Sequence, residues 1–261
     1  VLAWTDETGA RRYHSSRATR MAVSQVVGDS GGKASTGVDT FHAQYMLGFK
    51  SSVVERLSDA LRGEPQRGDD LQLTISERLS RYISEQFPEG KRGAVVVMNY
   101  QTNEVLAMVS MPQFDPMDLS AALVDEEAGA LINRATQGLY PPGSTFKIVT
   151  MASALENLPD LDRFAFNCTG YYPVGNYSVT EKEGHGMQEL SDAFASSCNT
   201  TFAALSQELG YKMLGETAEK LGFNENFMFG DMIVYNSSYP IDDLSPEDLA
   251  WSSIGQGRVL T

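Results

Sequence analysis

The pattern of apolar and polar positions changes character near residue 69. Before it, apolar residues recur without a clear period, and small residues crowd one stretch: Gly28, Ser30, Gly31, Gly32, Ser35 and Gly37. Short helices are predicted over Phe41–Leu47 and Ser52–Leu61, before Gly63, Pro65 and Gly68 break the chain. Residues 1–68 therefore read as a small accessory module ending in a linker. From Asp69 the pattern sharpens. Leu71, Leu73 and Ile75 alternate as in a half-buried strand. Ser76 can cap a helix over Glu77–Gln86 that carries Leu79 and Ile83 on one face. Gly93–Tyr100 is an apolar, β-branched run, Gln101–Asn103 a polar turn, and Glu104–Ser110 a second apolar run, which together predict a β-hairpin. Both runs are apolar on both faces, so the hairpin is expected to be central, with helices covering it.

Pro112, Asp115 and Pro116 close the hairpin, and a short helix is expected within residues 118–132. Pro141-Pro142-Gly143 is a hard stop, followed at once by Ser144–Asn157, a helix apolar nearly all round and hence buried. Residues 158–186 read as loop-rich. Helical patterns return over Leu190–Ala195, Thr200–Leu209 and Lys212–Leu221, and Ser245 can cap a last short helix with Pro246 at its first position.

Charge and composition narrow the partners. The formal net charge is −14, from 20 Lys+Arg against 34 Asp+Glu, which disfavours phosphate backbones and anionic membrane surfaces, so no nucleic acid is expected. The two cysteines, Cys168 and Cys198, are too few for a disulfide framework and lack the paired spacing of a zinc site; they could pair with each other in an oxidising compartment, but read more readily as free, buried thiols. His14, His42 and His185 are scattered, so no metal cluster and no cofactor is expected. No apolar run reaches the roughly 18 residues that span a membrane, and the chain, which begins at Val1, shows no signal peptide and reads as a piece of a longer protein.

The candidate chemistry lies at Gly143-Ser144-Thr145-Phe146-Lys147. A serine hydroxyl is a weak nucleophile until a base takes its proton. Residues three apart on a helix share a face, so Lys147 is placed to reach Ser144. The positive end of the helix and burial both disfavour the ammonium form of that lysine. Ser-x-x-Lys also arises by chance and serine is a common cap; what lifts this instance is the Pro-Pro-Gly turn before it and the buried helix behind it. A second candidate is Ser197-Cys198-Asn199, some fifty residues on, where a hydroxyl and an amide two positions apart can face the same way. Taken alone, this pair reads more readily as Asn199 merely capping the following helix. Cys198 has no base beside it in sequence and reads as a small packing residue.

Together these segments resemble the penicillin-binding proteins, which pair a Ser-x-x-Lys motif with a Ser-x-Asn motif and a Lys-Thr-Gly motif. Asn133–Lys147 resembles the family's approach to its nucleophile. Gly93–Ser110, with Met111-Pro112-Gln113-Phe114-Asp115-Pro116 after it, resembles the family's first hairpin. The loop at His185-Gly186 and the Ile254-Gly255-Gln256-Gly257 run also look similar. The resemblance implies an α+β transpeptidase domain over residues 69–261, a central antiparallel sheet flanked by helices, and over 1–68 the end of the pedestal module of monofunctional (class B) members. The Lys-Thr-Gly or Lys-Ser-Gly motif is absent. The last lysine is Lys220, so the domain is expected to stop short of its later strands. The resemblance further implies a serine acyl-transfer enzyme acting on D-Ala-D-Ala stem peptides of peptidoglycan and acylated by β-lactams, with Ser144 as nucleophile, Lys147 as base, Ser197 as proton relay and Asn199 as substrate-positioning amide. It implies an extracytoplasmic protein, membrane-anchored through a segment outside this chain, with cell-wall partners such as a glycosyltransferase docking through the N-terminal module. Rival readings are a β-lactam sensor or class D-like β-lactamase, and a scaffold that binds partners without catalysis.

Overall fold

A computed structural model describes residues 1–49, 61–63, 68–227, 229–230, 232–242 and 244–261. Apart from Leu61, the helix expected over Ser52–Leu61 lies outside them, as does Pro65. The chain divides into two compact units, residues 1–138 with 228–234, and residues 139–227 with 235–261.

In the first unit, β1 (Ala3–Thr5) pairs antiparallel with β2 (Arg11–Tyr13), and Ser16 caps α1 (Arg17–Ala22) by accepting the Thr19 N–H at 3.4 Å. Sequence periodicity gave no sign of these elements, because they are only three to six residues long. After α2 (Ser24–Val27) and α3 (Val38–Phe41), α4 (Ala43–Met46) falls where the Phe41–Leu47 helix was expected, as a single turn separated from α3 by His42. Tyr13, Val23 and Val27 form a small core against which Ile75 packs. Residues 71–75 are not a strand. Thr74 Oγ1 donates to Val105 O at 2.7 Å and the Ser76 N–H to Leu106 O at 2.8 Å, but no ladder forms and Leu71 stays exposed. Ser76 caps α5 (Glu77–Gln86), as expected.

The hairpin is present. β3 (Gly93–Met98) pairs antiparallel with β4 (Val105–Met111), from Gly93↔Met111 to Met98↔Val105. Ala107 to Ser110 are buried, whereas Val96 and Met98 on β3 are exposed, so the hairpin is not covered on both faces. Asp115, just past it, binds Arg20 through two hydrogen bonds of 2.7 and 2.8 Å and Arg17 through one of 3.2 Å. The Gln25 amide donates to Pro112 O and Ala130 O at 3.0 Å each. The short helix expected within 118–132 is α6 (Ser120–Val124), followed by a single 3₁₀ turn that ends at Gly129, at φ 61°. α7 (Arg134–Gln137) follows, capped by Asn133.

In the second unit, a 3₁₀ turn over Gly143–Phe146 leads into α8 (Lys147–Asn157). Residues 158–186 are not loop-rich but hold nested hairpins. β5 (Ala165–Cys168) pairs with β8 (Gly186–Glu189), and β6 (Tyr171–Val174) with β7 (Tyr177–Thr180), all antiparallel. Their four-residue strands, broken by glycine turns, are too short to register as alternation. α9 (Leu190–Ala195) precedes α10 (Asn199–Lys220), which fuses the two expected helices across a kink at Gly210 (φ 72°, ψ 165°). α11 (Pro246–Ser253) has the Ser245 cap and leading proline read from the sequence. One core cluster joins Ala154, Cys168, Val179, Leu190, Phe202, Leu205 and Ile254; another surrounds Phe146. Helices and antiparallel ladders thus mix as an α+β fold requires. Among the described residues the strands pair two by two rather than in one central sheet.

Candidate active site

Ser144 is exposed and sits inside the 3₁₀ turn, one turn ahead of the α-helix in which it was expected to stand. The tighter winding helps: side chains three apart eclipse in a 3₁₀ turn, so Ser144 and Lys147 line up. Phe146 fixes the motif from below. It is buried, stacks on Tyr239 with ring centroids 5.3 Å apart and 2° between planes, and meets Phe223 edge-on at 5.3 Å. From the other side, the Gly143 N–H donates to Gly255 O at 2.9 Å. Gly255 lies at φ 72°, and a Cβ there would fall 2.1 Å from Gly143 O. Only glycine allows this approach, which is the physical content of the Ile254–Gly257 run.

Lys147 is 1% exposed. Its Nζ lies 3.3 Å from Ser144 Oγ, 3.0 Å from Ser197 Oγ, 2.5 Å from Ser197 O and 2.6 Å from Asn199 Oδ1, and 5.7 Å above the Phe202 ring. The other three residues singled out from the sequence, Ser144, Ser197 and Asn199, therefore converge on the Lys147 nitrogen. Two of its four oxygen neighbours, the Ser197 carbonyl and the Asn199 amide oxygen, can only accept. A neutral amine has two N–H groups for them and one lone pair left for a hydroxyl proton. Burial pushes the Lys147 pKa below the ordinary lysine value, and the nearby Glu181 carboxylate and Cys198 thiol push back.

The second motif faces one way because Ser197 adopts a left-handed backbone, φ 55°. That turn presents both its carbonyl and its hydroxyl to Lys147 and sends the next side chain, Cys198, into the core. Cys198 is the helix cap of α10, and its side chain bonds none of the backbone N–H groups of the first turn. The cap comes instead from Glu181, just after β7, whose carboxylate accepts the Asn199 N–H. Glu181 is eighteen positions from Asn199, and no local sequence signal points to it.

The cysteines are free and buried, as expected. The expectation that no histidine joins a cluster is corrected. The nested hairpin brings Cys168, His185 and Cys198 together, with one donor atom from each lying within 4.8 Å of the others, and Cys168 Sγ is 3.5 Å from His185 Nδ1. Among the described residues this is the group whose donors could hold a metal ion. Thr200 and Thr201 hydroxyls already contact the two sulfurs at 3.1–3.2 Å.

The penicillin binding protein transpeptidase domain family matches residues 93–261. The chain is 35% identical over 197 residues to the peptidoglycan D,D-transpeptidase MrdA of Escherichia coli K12, covering 70% of this chain and 30% of that protein. It is 30% identical over 285 residues to the peptidoglycan D,D-transpeptidase PbpA of Mycolicibacterium smegmatis, covering 99% of this chain and 57% of that protein. The structure superposes on penicillin-binding protein A from M. tuberculosis, solved as a penicillin G acyl-enzyme complex, with a TM-score of 0.85 at 26% identity, covering all of this chain and 65% of that one. The chain thus spans about a third to over half of these curated relatives.

Proposed function

Since the chain belongs to the penicillin-binding protein transpeptidase family, we propose that its protein is a peptidoglycan D,D-transpeptidase working through a serine acyl-enzyme. The observation that carries this reading is the Lys147 amine, buried and shared between Ser144, Ser197 and Asn199. Neutral Lys147 takes the Ser144 proton as Ser144 Oγ attacks the carbonyl of the penultimate D-Ala of a stem peptide. Backbone N–H groups of the Ser144 turn face the oxyanion, an effect worth about 100- to 1,000-fold per donor. Ser197 passes the proton from Lys147 to the leaving D-Ala nitrogen, and the Asn199 amide orients the donor peptide. The amine of a second stem then attacks the acyl carbonyl, forms the cross-link and frees Ser144. A β-lactam enters by the same attack, and its ring-opened amine stays tethered.

In this reading the protein acts outside the cytoplasm on peptidoglycan, residues 69–261 belong to the transpeptidase domain, and residues 1–68 end a pedestal module through which cell-wall partners dock. The family match over residues 93–261 supports the first part of that division. The test is intact-mass spectrometry after incubation with benzylpenicillin, beside a Ser144→Ala control. A single stable adduct that disappears in the control is expected. An adduct of undiminished yield on Ser144→Ala would refute the assignment.

A further inference from the structure

One charged group reaches the site without belonging to either motif. We propose that Glu181 is a positioning residue of the acyl-transfer site: its carboxylate holds the first N–H of α10 and thereby seats the Ser197–Asn199 turn against Lys147. The proposal rests on the serine acyl-enzyme reading given above.

The geometry carries it. Helix α10 has 22 residues, and its cap residue Cys198 makes no side-chain bond to the free N–H groups of the first turn. The Asn199 N–H is instead bound by Glu181. An anion at a helix N-terminus is favoured by charge as well as by the hydrogen bond. Glu181 is itself held, since its own N–H donates to Gly170 O at 2.9 Å across the nested hairpin. The atoms that depend on this clamp are close by. Asn199 carries both the clamped N–H and the Oδ1 that receives Lys147 at 2.6 Å, and Ser197, two residues before, is held at φ 55°. A left-handed serine costs energy, so the turn persists only while something else holds its end.

Glu181 also bears on Lys147 through its charge. The titratable groups acting on that amine are Glu181, after β7, and the Cys198 thiol, at the head of α10; its other neighbours, Ser144, Ser197, Asn199 and Phe202, are neutral. The anion favours the ammonium form. Removing the charge while keeping an acceptor lets Lys147 lose its proton at lower pH. Removing the acceptor as well lets the turn move. The two effects separate in two variants.

The experiment measures the acylation rate by a fluorescent penicillin against pH in the full-length protein, for wild type, Glu181→Gln, Glu181→Ala and the exposed neighbour Glu183→Gln. Glu181→Ala is expected to lower the plateau rate by about 10- to 100-fold, the scale of a misplaced catalytic group. Glu181→Gln, a neutral acceptor, should stay within about threefold of the plateau while its rising limb moves to lower pH. Glu183→Gln should match wild type. Amide exchange is followed alongside, and faster exchange at Asn199 is expected in Glu181→Ala. Wild-type acylation in Glu181→Ala overturns the proposal, and so does equal loss in both Glu181 variants with an unmoved limb, which is the mark of general destabilisation. Unchanged exchange at Asn199 overturns it whatever the acylation shows. A wild-type protein that takes no adduct sinks the acyl-enzyme reading instead, and the exchange arm still decides whether Glu181 holds the turn.

Discussion

Replacing Gly255 by alanine probes how firmly the Ser144 turn is held. Gly255 and Gly257 share one loop and nearly one backbone angle, φ 72° and 71°. An alanine at either position therefore incurs a similar left-handed cost of about 1–2 kcal/mol. They differ in space. A Cβ at 257 meets its nearest neighbour, Trp251 Cβ, at 3.7 Å, an ordinary contact. A Cβ at 255 falls 2.1 Å from Gly143 O and 2.8 Å from both Gly143 N and Phe146 Cβ. Restoring a normal separation of about 3.5 Å requires a shift of roughly 1.4 Å, the difference between the two distances. Phe146 is buried, stacked on Tyr239 and met edge-on by Phe223, so the shift falls on the Gly143–Ser144 backbone. Overpacking of this kind costs a further 1–3 kcal/mol, roughly. In the proposed acyl transfer, a displacement near 1 Å at Ser144 lowers the rate about 100-fold. The assay is a pair of denaturant titrations with fluorescent-penicillin acylation rates for Gly255→Ala and Gly257→Ala. Gly257→Ala should lose only the backbone term and acylate within a few-fold of wild type. Equal stability loss and equal acylation in the two variants would refute the close approach and the reasoning built on it.

Other predictions follow from the same geometry. Lys147→Ala should slow acylation by about 100- to 10,000-fold, the range for loss of a general base; near-normal rates in the fluorescent assay would remove Lys147 from that role. Because burial lowers the Lys147 pKa from 10.5, the folded state sheds that proton before the unfolded chain does, so this residue's contribution to stability rises with pH through the alkaline range below 10.5. Lys147→Met should flatten that rise in urea midpoints measured along a pH series. In the first unit, the Arg20 guanidinium holds the Asp115 carboxyl below its ordinary 3.8 against the opposing effect of burial. That stabilisation is present above 3.8 and fades as the pH falls below it. Asp115→Asn should cost about 1.5–3 kcal/mol near neutral pH and remove most of that acid sensitivity, as read by thermal melts.

The first motif was legible because chemistry fixes its local spacing. Ser144 and Lys147 had to share a face, which spacing alone shows, whereas Ser197 and Asn199 were named only because the resemblance to the penicillin-binding proteins pairs such a turn with the first motif. The capped helices were legible for a similar reason: Ser76 and Ser245 satisfy N–H groups within three positions of themselves. What escaped was either short or distant. The four-residue strands of the nested hairpins carry only two inward positions each, too few to read as alternation. Leu71, Leu73 and Ile75 alternate well, yet two hydrogen bonds to the start of β4 do not make a strand. Glu181 and the Cys168–His185–Cys198 group come together only because β5 and β8 pair across the β6–β7 hairpin, and no spacing rule encodes that. Gly255 was visible as part of a family-like run, but its reason, a backbone pressed against another backbone, exists only in three dimensions.

Cys168 and Cys198 are 1% and 0% exposed; Cys198 is the middle residue of the Ser197–Asn199 turn, and the Cys168 sulfur lies within 4.8 Å of its own. A maleimide cannot reach either sulfur while the core is closed, so alkylation of the native protein proceeds only through transient openings. The protein therefore carries a built-in stopwatch beside its own cleft. The rate at which the two thiols become labelled, followed by mass, reports how often this wall of the site comes apart. Running it with and without a bound β-lactam would time how far acylation stills that breathing, with no residue substituted.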